Sequence, residues 1–400
     1  MKFWKKILLA IFGLILLAQI PFIYRRYQTG KLAETIERLS SQRVVRIPAG
    51  YVEYTGVIHV HTSLGGHSTG GFDELIAAAN ANDLDFVLMT EHYSEAYDTS
   101  ALTLNGVYGK TLFVGGNEID THDSDRFLLI PGSSDAESFR RIPTNTFVDK
   151  IHSENRLALV TYPEKFNSWD SKFDGLEVFS LYTAGRQMNR MTTPLDVLWS
   201  YCSYPALTFA KSFTRPEANL RKFDEIATTR KIVLFAGADA HSNLGFHVFG
   251  DDSGNKYLNV KLDPYQILFG LVRTHVYIKS GEKLTRENLI EAVRSGHFYT
   301  GFDVFGDTSG FSFTAATGPR SAIAGDEIPS ANDLTLKAAA PYPAHFLVFR
   351  NGERFSEERG SEIKLNVRES GTYRVEVYLD ELGSPLDTMP WIISNPIYVR

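Results

Sequence analysis

Four points in this chain bring metal-type donors close together. They are His59-Val60-His61, Glu91-His92, Asn117-Glu118 and Asp239-Ala240-His241, and His67 follows in the loop after the first. Imidazole nitrogen and carboxylate oxygen suit zinc, manganese or iron, and the donor set does not separate the three. A divalent ion lowers the pKa of its bound water from about 15.7 to about 7, so hydroxide becomes available for hydrolysis at neutral pH. A second ion nearby can bridge that hydroxide and neutralise charge on an oxyanion or phosphoryl group. Taken singly, each motif has a plainer reading. A His-x-His or Asp-x-His pair is more often incidental than a ligand set, and a glutamate after a strand is ordinarily a solvated loop residue. The coincidence carries the weight, because four strands end alike with only nitrogen and oxygen donors.

The elements that must position these groups are short apolar runs rich in β-branched and aromatic residues, at 54–60, 85–90, 112–115, 157–161, 176–179 and 232–236. Helical patterns separate several of them, at 72–82, 146–154 and 218–230. Strands alternating with helices predict parallel strands, and their number predicts an α/β barrel. The donors then stand at strand C-terminal ends, which converge on one face of such a barrel. On an extended chain, His59 and His61 project from the same face and can hold one ion.

His59-Val60-His61-Thr62-Ser63 with His67, Thr90-Glu91-His92, Glu118 and Asp239-Ala240-His241-Ser242 together resemble the polymerase and histidinol phosphatase (PHP) superfamily. The resemblance spans residues 54–245 and implies a distorted seven-stranded (β/α)7 barrel. It further implies that His59, His61, Glu118 and Asp239 surround one metal, and that His67, His92 and His241 surround a second. Segments 284–298 and 390–398 are similar to the carbaryl-hydrolase-type subgroup, which adds a C-terminal sandwich. This chain departs from the family where Tyr162-Pro163 stands in place of His-Pro, and where Glu91 replaces an aspartate. Between Tyr162 and Glu118 only His122 and His152 are available, and neither has the family context, so one or two ions are expected rather than three. Glu177 is either a substitute ligand or structural. For the general acid, Tyr162, Arg215 and His247 are candidates by proximity to the motifs, against a structural or substrate-positioning role for each.

The remaining histidines, His275, His297 and His345, default to satisfied or surface imidazoles. The formal charge of -6 and pI near 6.0 give no basis for nucleic-acid binding. One cysteine, Cys202, excludes an internal disulfide framework and a Cys-rich zinc site. Residues 7–23 are apolar apart from Gln19, flanked by Lys2, Lys5 and Lys6 before and Arg25 and Arg26 after. No good small-x-small cleavage site follows, which favours a membrane anchor over a cleaved signal. A short cationic tail stays inside most easily, placing the large unit outside the cytoplasm.

The expected organisation is an anchor over 1–27, a stalk over 28–50, a metallohydrolase barrel over 51–300 and an antiparallel β-sandwich over 301–400. The expected activity is metal-dependent phosphoester hydrolysis of a small or envelope-derived substrate. The alternatives are carboxylic or carbamic ester hydrolysis at the same site, or a metal-containing envelope binding module without catalysis. No basic phosphate cradle is evident in the sequence.

Overall fold

The computed structural model describes the backbone of residues 2–250 and 256–400, with side chains given for 3–245 and 261–400. Strand β1 (Tyr51–Val60) pairs in parallel with β2 (Phe86–Met89), which resumes after Thr90 as the short β3 (Glu91–His92). A hairpin of β4 (Gly106–Tyr108) and β5 (Thr111–Val114) adds to β2 through β5, and β6 (Asn117–Asp120) pairs in parallel with β3. Then come β7 (Arg126–Ile130), β8 (Leu157–Val160), β9 (Gly175–Ser180) and β10 (Val233–Gly237), paired in that order. The pairing returns to β1: Ala238 N–H donates to Ile58 at 2.8 Å, and His61 N–H to Ala240 at 3.0 Å.

One strand breaks the expected parallel order. β7 runs antiparallel to both β6 and β8. Only residues 121–125 join it to β6, far too few for the crossover that a parallel neighbour requires. The other strands read as continuous apolar runs because both faces are covered, as in Phe-Val-Leu-Met of β2 and Leu-Ala-Leu-Val of β8. Alternate residues feed two cores: Val87 and Met89 enter one, Phe86 and Leu88 the other.

A hairpin of β11 (Gly245–Gly250) and β12 (Lys256–Lys261) precedes β13 (Arg273–Lys279) and β14 (Phe298–Gly301). β13 lies antiparallel to β1, and β14 antiparallel to β13. Beyond them the expected antiparallel strands are present, at Ser312–Thr317, Thr335–Arg350, Glu353–Asn366 and Gly371–Tyr378. Asn351 (φ 52°) and Gly352 (φ 83°) turn the longest hairpin, as their sequence signals. These strands share a sheet with the first unit, since Ile392–Ser394 pairs with both Gly371–Tyr378 and β14. Arg374 and Arg215 reinforce the junction, reaching Asp224 at 2.7 Å and Glu376 at 2.7 Å respectively.

The first element is a single helix, α1 (Lys2–Ser40), continuous through Pro21 and through both the anchor and stalk segments. Its most apolar window has a mean hydropathy of 2.4 and none of it is buried, so it is long and apolar enough to cross a membrane. The second half does not stand free as a stalk: Leu39 is buried in the main core and Leu32 packs against it.

Candidate metal centre

His59 and His61 converge, though not by simple strand alternation. β1 bulges between Ile58 and Val60, and His59 takes a left-handed φ of 71°. The bulge re-aims the side chain, a recurrent device beside active sites. The two rings lie 5.0 Å apart. Tyr162 (φ 52°) and Asp239 (φ 41°) adopt the same sparsely populated conformation, so backbone strain concentrates where these three side chains meet.

Asp239 Oδ1 stands 3.4 Å from Nε2 of His59, 3.4 Å from Nε2 of His61 and 3.4 Å from Nδ1 of His241. Glu118 approaches His61 Nε2 at 3.4 Å, His59 Nε2 at 3.7 Å and His92 Nδ1 at 3.1 Å. Two atoms bonded at about 2.1 Å to a common tetrahedral centre stand about 3.4 Å apart, so this spacing fits donors that share an ion. The hydrogen bonding agrees. His59 Nε2, both ring nitrogens of His61, both oxygens of Glu118 and Asp239 Oδ1 are buried without a hydrogen-bond partner among the described residues. Buried polar atoms are rarely left so, and cations held among these donors would supply the missing partners.

The donors can be grouped in two ways that share His61: His59, His61 and Glu118 as one group, and His61, His92 and His241 as another. His61 lies stacked between the other two rings, 4.4 Å from each. The second group therefore takes His61 in place of the His67 that the family resemblance implied. His67 is exposed, its ring 4.8 Å from that of His92, and belongs to neither group.

Surrounding side chains set the protonation of the donors. Glu177 Oε1 lies 2.7 Å from His59 Nδ1, and Thr161 donates to its other oxygen. Glu177 thus orients His59 and directs the Nε2 lone pair inward, the ordinary partner of a metal-binding histidine. His241 Nδ1 faces the Asp239 carbonyl at 2.9 Å. Burial and the neighbouring His61 ring push His92 down to about 3 and His241 to about 4, so both imidazoles are neutral at pH 7 with a lone pair to offer. Burial works against ionised Glu118, yet the histidines around it hold it at about 2. They hold Asp239 far below the usual carboxylate range against the same penalty. Burial likewise disfavours protonated His59, but Asp239 and Glu177 outweigh it and hold its pKa well above the ordinary value. The cluster demands positive charge.

Tyr162 donates to Asp239 Oδ2 at 2.6 Å. Burial and the Asp239 and Glu118 carboxylates push its own pKa far up, so the hydroxyl stays protonated. Glu91 is not part of the cluster: it accepts from the Thr62 backbone at 2.9 Å, the Thr62 hydroxyl at 2.7 Å and Thr103 at 3.0 Å. Arg215 does not line the site, because Glu376 and Glu217 take its guanidinium. The third candidate, His247, has its side chain outside the described residues. His122 pairs with Asp123, and His152 with Asp174, and neither lines the site.

The cluster opens into a cavity of about 410 Å³. Four cations line it, a cradle that is not evident in the sequence. Arg140, Lys165 and Arg186 are exposed, make no ion pair among the described residues, and lie over the rings of Tyr93 (4.9 Å), Tyr162 (5.7 Å) and Tyr182 (5.8 Å). Arg126 is the fourth, held by Asp120 at 2.6 Å and 3.7 Å from Glu118. No local motif announces these residues, since they are scattered over the chain and only the fold collects them.

No family model and no curated protein matches this chain. Among solved structures, a two-domain protein from Bacteroides vulgatus containing a predicted PHP-like metal-dependent phosphoesterase is 11% identical, with 88% of this chain and 98% of that one covered at a TM-score of 0.39. PsfC from Pseudomonas syringae is 12% identical over 60% of this chain and 88% of its own, with a TM-score of 0.37. Endonuclease Q, solved with a duplex bearing an abasic lesion, is 12% identical over 61% and 56% at a TM-score of 0.37.

Proposed function

We propose that this chain is a metal-dependent phosphoesterase of PHP type, with His59, His61, Glu118 and Asp239 holding one divalent ion and His92 and His241 a second through the shared His61. One observation carries the reading: buried donor atoms at ion-sharing distances lack a hydrogen-bond partner among the described residues, and they open into a cation-lined cavity. The closed ring of strands from β1 to β10 supports a distorted seven-stranded barrel, with β2 and β3 counted as one position and β5 and β6 as another.

The residues divide the work by charge. A divalent ion held here supplies Lewis acidity and a water acidified towards neutral pH, and zinc, manganese and iron all suit the donors. Arg140, Lys165 and Arg186 bind and orient an anionic group at the mouth, while Arg126 carries positive charge to the edge of Glu118. Tyr162 acts as a positioning residue, fixing Asp239 so that only Oδ1 faces the histidines. The cations favour a phosphoester over a neutral carboxylic or carbamic ester, which would gain little from them.

We further place the catalytic unit outside the cytoplasm, with Lys2, Lys5 and Lys6 before the apolar run on the inner side. The test is turnover of an aryl phosphate and an aryl ester by the full-length protein in detergent, with manganese or zinc and then with a chelator. Metal-dependent cleavage of the phosphate is expected. Cleavage of the ester alone selects the esterase alternative, and bound metal with no turnover selects the binding module.

A further inference from the structure

α1 is not a loose tether. Arg25 grips buried Asp196 through Nε at 2.8 Å and Nη2 at 2.6 Å, and Lys211 joins Asp196 at 3.0 Å. Arg26 donates to the Trp199 carbonyl at 2.6 Å and the Ser203 hydroxyl at 2.9 Å. Trp199 Nε1 in turn donates to Gln19 Oε1 at 2.9 Å. The Thr193–Ser200 helix is therefore fixed to α1 on both sides of Pro21.

The level of that attachment matters. Gln19 lies inside the apolar run of α1, about 6 Å short of its end at Ile23 by helical rise. When α1 spans a bilayer, Trp199 stands at the interface, the depth at which tryptophan is enriched. Its neighbours fit that depth. Met191, Pro194 and Leu198 are all exposed at helical spacing, Met191 at 84% and Leu198 at 68%. An apolar face so exposed, continuous with a membrane-spanning helix, fits a helix lying in the headgroup layer.

The same surface is linked to the cavity mouth at both of its ends. The Leu181–Arg186 helix supplies Tyr182 and Arg186 to the mouth, and Met191 follows five residues later. At the far end, Tyr201 donates to the Leu262 carbonyl at 2.9 Å, and Leu262 N–H to the Leu244 carbonyl at 2.8 Å. Leu244 is 53% exposed and adjoins Asn243, another residue of the mouth.

We propose that the α1 clamp seats the Met191–Leu198 face in the membrane interface, and that the cavity acts on a phosphoester carried by a membrane amphiphile. Resting on the phosphoesterase reading, the inference names its substrate class. The cations of the mouth face headgroup phosphates, and the substrate reaches them without leaving the bilayer.

The test uses the full chain reconstituted in phosphatidylcholine vesicles containing dioleoylphosphatidate, with aqueous p-nitrophenyl phosphate as the soluble comparison. We expect kcat/KM for the vesicle phosphate to exceed that for the soluble one by at least about tenfold, since anchoring raises local substrate concentration. The double variant Met191→Glu, Leu198→Glu is expected to lose that advantage and keep the soluble rate. Equal use of both substrates, unaltered by the variant, overturns the inference and leaves the phosphoesterase reading intact. Hydrolysis of neither, with metal bound, overturns both. A spin label at Leu198→Cys in a Cys202→Ser background gives a readout independent of activity. Accessibility to oxygen above that to an aqueous nickel chelate supports the seating, and the reverse order overturns it.

Discussion

Tyr162 donates its phenolic proton to Asp239 Oδ2 at 2.6 Å, which leaves Asp239 Oδ1 facing the histidines alone. One carboxylate is thereby split between a structural and a metal-facing oxygen. Tyr162→Phe keeps the ring and removes only the hydrogen bond, worth about 1.5–3 kcal/mol where the acceptor is charged. We expect metal affinity, measured by competition with a chromophoric chelator, to fall by roughly tenfold or more with the metal stoichiometry unchanged. Complete loss of metal would assign Tyr162 a direct ligand role instead.

Glu177 acts one step back from the site. Glu177→Gln should lower metal affinity or turnover by about 10–100-fold, the usual cost of removing a histidine's outer partner. Gly237→Ala should show a similar defect although Gly237 carries no donor, because an added methyl would collide with Glu177 Oε1. Wild-type metal binding in both variants would remove Glu177 from the account.

The cations at the mouth predict a different kinetic signature. Arg140→Ala, Lys165→Ala and Arg186→Ala should each raise KM for a phosphoester by about 2–5-fold with kcat little changed, as exposed charges are worth about 0.2–1 kcal/mol each. The effect should shrink as salt rises. A fall in kcat at constant KM would mean that the cations act on the reaction step and not on binding.

Away from the site, His275 predicts how stability follows pH. It is fully buried between Glu53 at 2.9 Å and Asp303 at 3.3 Å. Burial lowers its pKa, but Asp303 and Glu53 outweigh burial and raise it to about 9 from 6.5. A raised histidine contributes its full stability below about pH 6.5 and loses it as pH climbs through about 9, on the order of 3 kcal/mol at most. Urea midpoints should therefore fall between pH 6.5 and 9 in the wild type, and fall less in His275→Gln. Parallel curves for the two proteins would contradict this.

The sequence made the donors legible because their chemistry is local: His59-x-His61 and Asp239-x-His241 announce themselves, as do the apolar runs that became β1, β2, β8, β9 and β10. What escaped was non-local. β7 is not among the strands expected from the sequence, and its reversal follows from a short connection to β6. The bulge at His59 has no residue signature, since glycine would be the usual occupant of a φ of 71°. Arg126, Arg140, Lys165 and Arg186 are single charges among many, and a cradle exists only once four separate segments of the chain converge. Arg215 misled for the opposite reason: it stands near the motifs in space-blind order, while its partner Glu376 lies 161 residues away.

The shared cation is the claim on which the rest depends. Anomalous X-ray diffraction from crystals of the full chain, grown with manganese or zinc and recorded at the metal's absorption edge, tests it most directly. The account predicts a peak within about 2.0–2.3 Å of His59 Nε2, His61 Nε2 and a carboxylate oxygen of Asp239 or Glu118. A map without such a peak, with these atoms hydrogen-bonded to one another or to water instead, would contradict it.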